Sequence, residues 1–151
     1  MDSIDKTILH ILAKNAHATA TEISSAVNLS IPAVNKRIQK LRTDGVIRSF
    51  TVLTDSAKVG KPVTAYILVV VRYEDGIDEL MALVENDRDV LECYALAGEY
   101  DYLLKVCADD VDTLQKKLLS IKAKRSVVKS HTMLSLQELK FRPTALPDRE
   151  E

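Results

Sequence analysis

The sequence predicts an α+β protein in two parts. An N-terminal three-helix, winged helix-turn-helix unit precedes a C-terminal βαββαβ unit of the ferredoxin-like kind. Three observations predict it. Residues 19–45, TATEISSAVNLSIPAVNKRIQKLRTDG, carry two helix starts with a tight turn between them. Residues 63–139 switch between strand and helix patterns in the order β-α-β-β-α-β. The charge divides along the same line: residues 1–60 carry a net charge of +3 and residues 61–151 a net charge of −4, within a total of −1.

The first helix spans residues 3–15, SIDKTILHILAKN. Ser3 is a candidate cap, and Asp5 lies in the first turn, where negative charge is favoured. Ile4, Ile8, Leu9, Ile11 and Leu12 fall on one helical face. Thr19 and Glu22 then stand at capping-box spacing, ahead of an apolar face of Ile23, Ala26 and Val27. Asn28 tolerates the left-handed conformation that ends many helices. Ser30 offers the next N-cap, Pro32 sits in the first turn, and Gly45 closes the helix. At 100° per residue, Ile31, Val34, Ile38 and Leu41 face the core. Pro32, Lys36, Gln39, Lys40 and Thr43 lie opposite, a face with two cations and no acid. A solvated helix face has the same polarity, but paired caps, a tight turn and the absence of acids favour a helix laid on duplex DNA.

Residues 46–53, VIRSFTVL, have strand character and stand where a wing or connecting strand would follow. Residues 54–62 hold Gly60 and Pro62 and form the linker. Strands are expected at 63–73, 90–97, 102–108 and 127–139, with helices at 77–86 and 111–122. The first of these helices turns Ile77, Leu80, Met81 and Val84 to one side. The second is capped by Asp110 and buries Val111, Leu114, Leu118 and Ile121. The domain boundaries that follow are 1–53, 63–140, and a polar tail at 141–151 that frays.

Placing Ala97 opposite Tyr102 puts Leu91, Cys93, Ala95 and Ala97 on one face with Tyr102, Leu104, Val106 and Ala108. Tyr94, Leu96, Leu103 and Lys105 share the other face, and the first strand is apolar on both sides. A sheet with two apolar faces needs two covers. The helices supply one, and a second copy of the chain is the expected other, giving a two-fold homodimer.

The two cysteines, Cys93 and Cys107, match no metal spacing and take opposite faces, so neither a metal site nor a disulfide is expected. No cofactor is expected either. Asp2 and Asp5 interrupt the start, so no leader peptide is expected, and no run approaches the roughly 18 apolar residues of a membrane span. The expected location is the cytoplasm, with no membrane partner.

Leu29-Ser30-x-Pro32-x-Val34-x-x-Arg37-Ile38-x-x-Leu41 followed by Gly45-Val46-Ile47-Arg48 resembles the DNA-binding half of the Lrp/AsnC (feast/famine) regulators. Ile4-Asp5-x-x-Ile8-Leu9 resembles their first helix. Val90-Leu91-Glu92-Cys93-Tyr94 and Ala97-Gly98-Glu99-Tyr100-Asp101-Tyr102-Leu103-Leu104-Lys105-Val106 resemble their effector domain. The resemblance covers residues 2–140. The chain departs from it at Asn28, where a glycine is usual, at Phe50, where tyrosine is frequent, and in the more basic stretch 124–130, KRSVVKS.

The resemblance implies a sequence-specific, DNA-binding transcriptional regulator that forms dimers, often gathered into octamers of four dimers. It also implies a small effector, chiefly an amino acid, bound near Gly98, Glu99, Tyr100 and Asp101, with Thr132 as a further candidate. Glycine lets backbone N–H groups approach a ligand, and Asp101 is a candidate acceptor for an α-ammonium; a plain hairpin turn has the same composition. On DNA, Ser30, Pro32, Ala33 and Lys36 occupy the helix positions that meet bases. Arg37, Lys40, Arg42 and Arg48 are candidates for phosphates, with Arg37→Ala and Lys40→Ala each expected to flatten the salt dependence. The enzymatic alternative is a sirohaem decarboxylase, which uses the same two-domain layout. Those enzymes tend to carry His before the Cys-Tyr pair and Tyr-Asn after the turn; here Glu92 and Tyr100-Asp101 stand in those places. His131 stands alone in a strand, and no nucleophile–base arrangement appears.

Overall fold

A computed structural model of the chain describes residues 1–148. The contacts divide it into two compact units. One holds Met1–Val52 and residues 140–148; the other is Leu53–Leu139.

The first unit is helical: α1 (Ser3–Lys14), α2 (Ala20–Val27) and α3 (Ile31–Thr43). Ile8, Leu12, Ile23, Val34 and Leu41 form its core, with Leu9, Val27, Leu29, Ile38 and Ile47 packed at the edges. Asp2, rather than Ser3, caps α1. Its carboxylate accepts the Asp5 N–H while the Asp5 carboxylate accepts the Asp2 N–H, a reciprocal box that a single serine does not provide. Thr19 and Glu22 make the same box on α2, and Asn28 closes that helix at φ 52°. Ile31, expected inside, is 42% exposed at the first position of α3.

Residues 46–53 form no strand. A strand exists only by hydrogen bonding to a neighbour, and no neighbour is present for this stretch among the described residues. Ile47 alone is tied down, its N–H donating to the Leu41 carbonyl, while Val46, Phe50 and Val52 are exposed. The C-terminal tail differs from a frayed end. The His10 ring Nε2–H donates to the Pro147 carbonyl at 2.9 Å, within the first unit.

The second unit contains β1 (Val63–Val71), α4 (Asp78–Asn86), β2 (Val90–Ala95), β3 (Tyr102–Ala108), α5 (Val111–Lys122) and β4 (Val127–Leu134). The sheet is antiparallel in the order β2-β3-β1-β4. With both helices on one face, this is the split βαββαβ arrangement. Ala65, Ile67, Val69 and Val71 from β1 and Leu104, Val106 and Ala108 from β3 meet Leu80 of α4 and Leu114 and Ile121 of α5. Val111, expected in that layer, is 62% exposed at the first turn of α5.

The hairpin is shorter than its sequence suggests. Ala95, not Ala97, lies opposite Tyr102, a shift of two that leaves the parity of 93 and 95 unchanged. A bulge between Val90 and Glu92 then pairs Val90 with Val106 and turns Leu91 outward, half exposed. β4 ends at Leu134; beyond it only the Ser135 N–H, donating to the Thr64 carbonyl, continues the ladder.

Residues opposite one another in antiparallel strands project to the same face. Leu68 therefore stands with Leu103 and His131, Tyr66 with Lys105 and Met133, and Val70 with Lys129. This face lies away from α4 and α5. Tyr66, Leu68 and Val70 are only half-buried on it.

Candidate functional site

The helix-turn-helix presents α3 as a free outer surface. Ser30 holds its start, with its hydroxyl accepting the Ala33 N–H at 3.4 Å and Pro32 in the first turn. Gly45, at φ +72°, lets the chain turn away after Asp44. Ser30, Pro32, Lys36, Gln39, Lys40, Arg42 and Thr43 are exposed, and Ala33 is half-buried. Among the described residues, Lys36, Lys40, Arg42 and Arg48 form no ion pair. Their charge is directed to solvent.

Arg37 departs from the expected phosphate role. Its Nη1 lies 2.7 Å from a carboxylate oxygen of Asp2 and 2.7 Å from one of Asp5. The guanidinium thus clamps α3 to the cap of α1. Asp5 and then Asp2 raise the Arg37 pKa further above its already high value. Arg37→Ala is therefore expected to lower the melting temperature of the helical unit and leave the salt dependence of DNA binding unchanged. Lys40→Ala is expected to do the reverse, reducing the slope of log K against log salt by about one. Thermal melts paired with salt-titrated anisotropy separate the two.

The second candidate region is the loop of residues 96–101 between β2 and β3. The Leu96 N–H donates to the Asp101 carbonyl at 2.8 Å and closes the loop. Asp101 fastens it to β1: its N–H donates to the Val69 carbonyl at 2.9 Å, and its Oδ2 accepts the Val71 N–H at 2.8 Å. One oxygen of the carboxylate offered to a ligand ammonium is thus committed to the sheet. Apart from its own chain neighbours, no heavy atom of the described residues lies within 4 Å of the place where a Gly98 side chain would begin. Glu99 reaches Lys129 of β4 at 2.8 Å, and that ammonium holds the Glu99 carboxyl below its usual range. The Lys129 Nζ also sits 5.0 Å from the centre of the Tyr100 ring, which tilts against His131 at 6.4 Å. Thr132 is not part of this group. It lies opposite the fully buried Ile67 and so faces the helix side of the sheet. Lys129 and His131, of the other parity, take that place. Strand alternation within 127–134 was the available signal.

Family models match both halves of the chain. Residues 1–48 match the winged helix-turn-helix DNA-binding model, and residues 64–145 match the Lrp/AsnC ligand binding domain. The chain belongs to the Lrp/AsnC family. It is 36% identical to the glutamate uptake regulatory protein of Zymomonas mobilis over 97% of its own length and 90% of the relative's. It is 33% identical to the HTH-type transcriptional regulator FL11 of Pyrococcus abyssi, over 97% and 96%. Among solved structures, a transcriptional regulator of Neisseria meningitidis in complex with L-methionine superposes with a TM-score of 0.89 at 28% identity, covering 96% of each chain. A feast or famine regulatory protein of M. tuberculosis, also complexed with L-methionine, gives 0.88 at 25%, covering 97% of this chain and 99% of that one. This Lrp/AsnC protein is a DNA-binding transcriptional regulator, and its relatives are regulators rather than enzymes. No helix among the described residues is long and apolar enough to cross a membrane.

Proposed function

We propose that this regulator works in the cytoplasm as a two-fold homodimer, gathered into an octamer of four dimers. It holds an operator through α3 of each protomer, and an amino acid at the loop of residues 96–101 modulates its grip. The observation that carries this reading is the outer face of α3, with Lys36, Lys40 and Arg42 exposed and in no ion pair among the described residues, on a helix whose start Ser30 caps. Such a helix directs its first residues at base edges. Ser30, Pro32, Ala33 and Lys36 take that role, with Lys36 suited to guanine and Pro32 or Ala33 to a thymine methyl. Lys40, Arg42 and Arg48 hold phosphates and set the register.

Dimer formation is supported by the half-buried Tyr66, Leu68 and Val70 on the sheet face away from α4 and α5. Amino-acid binding is supported by the two similar structures that carry L-methionine. At the loop, Gly98, Glu99, Tyr100 and Asp101 form the rim. Two measurements test the reading. Gel shifts on the DNA beside the protein's own gene are expected to give discrete complexes with a footprint of two half-sites. A thermal-shift screen of the twenty amino acids is expected to raise the melting temperature with a few of them, since a ligand that binds only the folded form stabilises it. Indifference to DNA, or to every amino acid, removes the corresponding half of the proposal.

A further inference from the structure

We infer that the effector is an amino acid with an acidic side chain, glutamate or aspartate, and that Lys129 and His131 select it by its side-chain carboxylate. The inference rests on the effector reading above and narrows it to one ligand class.

Three observations carry it. Lys129 is the cation of the loop cluster, fixed from two directions by Glu99 and the face of Tyr100. His131 lies two residues along the same strand face, with its ring centroid 6.4 Å from that of Tyr100. The carboxylate now on Lys129 belongs to Glu99, which is 72% exposed on a loop. An ion pair so open to water is weak, so a free carboxylate can displace it. Glu99 thus stands where a ligand carboxylate would sit.

Selectivity follows from the neighbours. Lys129 and His131 lie beside Val70 and Leu68 on the sheet face that the proposed dimer covers. A ligand carboxylate takes over the charge pair that Glu99 vacates, whereas a neutral side chain leaves Lys129 with Glu99 and gains nothing from it, and a basic one is repelled. Glu99 itself is 72% exposed, so its side chain can turn away into solvent.

Calorimetry on the full-length protein tests this with L-glutamate, L-aspartate, L-glutamine, L-lysine and glutarate. L-glutamate or L-aspartate is expected to bind about tenfold more tightly than L-glutamine. Lys129→Gln is expected to abolish that ratio, and Lys129→Arg to preserve most of it. Glu99→Gln, which removes the competing carboxylate, is expected to tighten the acidic ligand by about threefold. Binding of a neutral or basic amino acid that is unchanged in Lys129→Gln overturns the inference and leaves the effector reading standing. Glutarate binding as tightly as L-glutamate overturns the amino-acid class. Silence from every amino acid overturns the effector reading itself, and this inference with it.

Discussion

Leu68→Glu is expected to yield a folded monomer whose affinity for a two-half-site duplex falls by about a hundredfold or more. Leu68 is central in β1, which is itself central in the sheet, with Leu103 and His131 beside it on the face away from the helices. The folded unit does not depend on this side chain. Its core uses the alternate residues Ala65, Ile67, Val69 and Val71, so the variant keeps its secondary structure and melts cooperatively. The proposed dimer does depend on it. A two-fold axis brings the same patch of both copies together, so one substitution buries two like charges in an apolar setting. Sedimentation gives the mass, and anisotropy on one-site and two-site duplexes gives the affinity. A variant that stays dimeric and binds normally would place the interface elsewhere.

Asp89→Ala is expected to cost about 2 kcal/mol of unfolding free energy, read from urea titrations. Asp89 is the hub of a part-buried network. Its Oδ2 lies 3.1 Å from the Lys61 ammonium and 3.0 Å from that of Lys117, which also holds Asp87 at 2.7 Å, while Lys61 holds Asp109. The network joins the segment before β1, the turn before β2, and α5. Each lysine retains one acid in the variant, which limits the cost. The pH dependence has a definite sign. Burial pushes the Asp89 carboxyl up, but the ammonium groups of Lys117 and Lys61 outweigh it and hold it below its ordinary 3.8. Its contribution is therefore complete above that value and disappears as pH falls through the lower, folded one. Asp109 and Asp89 raise Lys61 above its ordinary 10.5. For Lys117, burial acts downward and its hydrogen bonds to Asp87 and Asp89 prevail, so it too is raised. The lysine contribution is complete below 10.5 and lost as pH rises through the folded values. The stability of Asp89→Ala should thus vary less at both extremes of pH than that of the native protein.

The parts of the fold that were legible in the sequence are those fixed by near neighbours. The Thr19–Glu22 box, the Ser30 and Asp110 caps and the left-handed Asn28 each depend on residues within a few positions. β3 and α5, bounded by local signals, fall at 102–108 and 111–122 as their patterns predict. The larger misreadings concern partners distant in sequence, while the cap of α1, the local Asp2–Asp5 box, and the exposed first-turn residues Ile31 and Val111 are near-neighbour exceptions. Residues 46–53 and 135–139 have strand composition but lack a ladder to join. The hairpin register depended on how many residues the loop 96–101 absorbs, and the bulge at Leu91 on the pairing with Val106. The site followed the same rule. The cationic face of α3 could be read from helical period alone. The diversion of Arg37 to Asp2 and Asp5 spans 35 and 32 positions, and the meeting of Glu99 with Lys129 spans 30, so neither had a local signature.

Salt-titrated anisotropy on the operator duplex tests whether the outer face of α3 grips duplex DNA. The comparison is between the native protein and a variant carrying Lys36→Gln, Lys40→Gln and Arg42→Gln. Removing three cations from a phosphate-facing surface should make the slope of log K against log salt shallower by about two to three, with affinity at moderate salt reduced by orders of magnitude. An unchanged slope and affinity in a folded triple variant would show that this face of α3 does not meet the duplex.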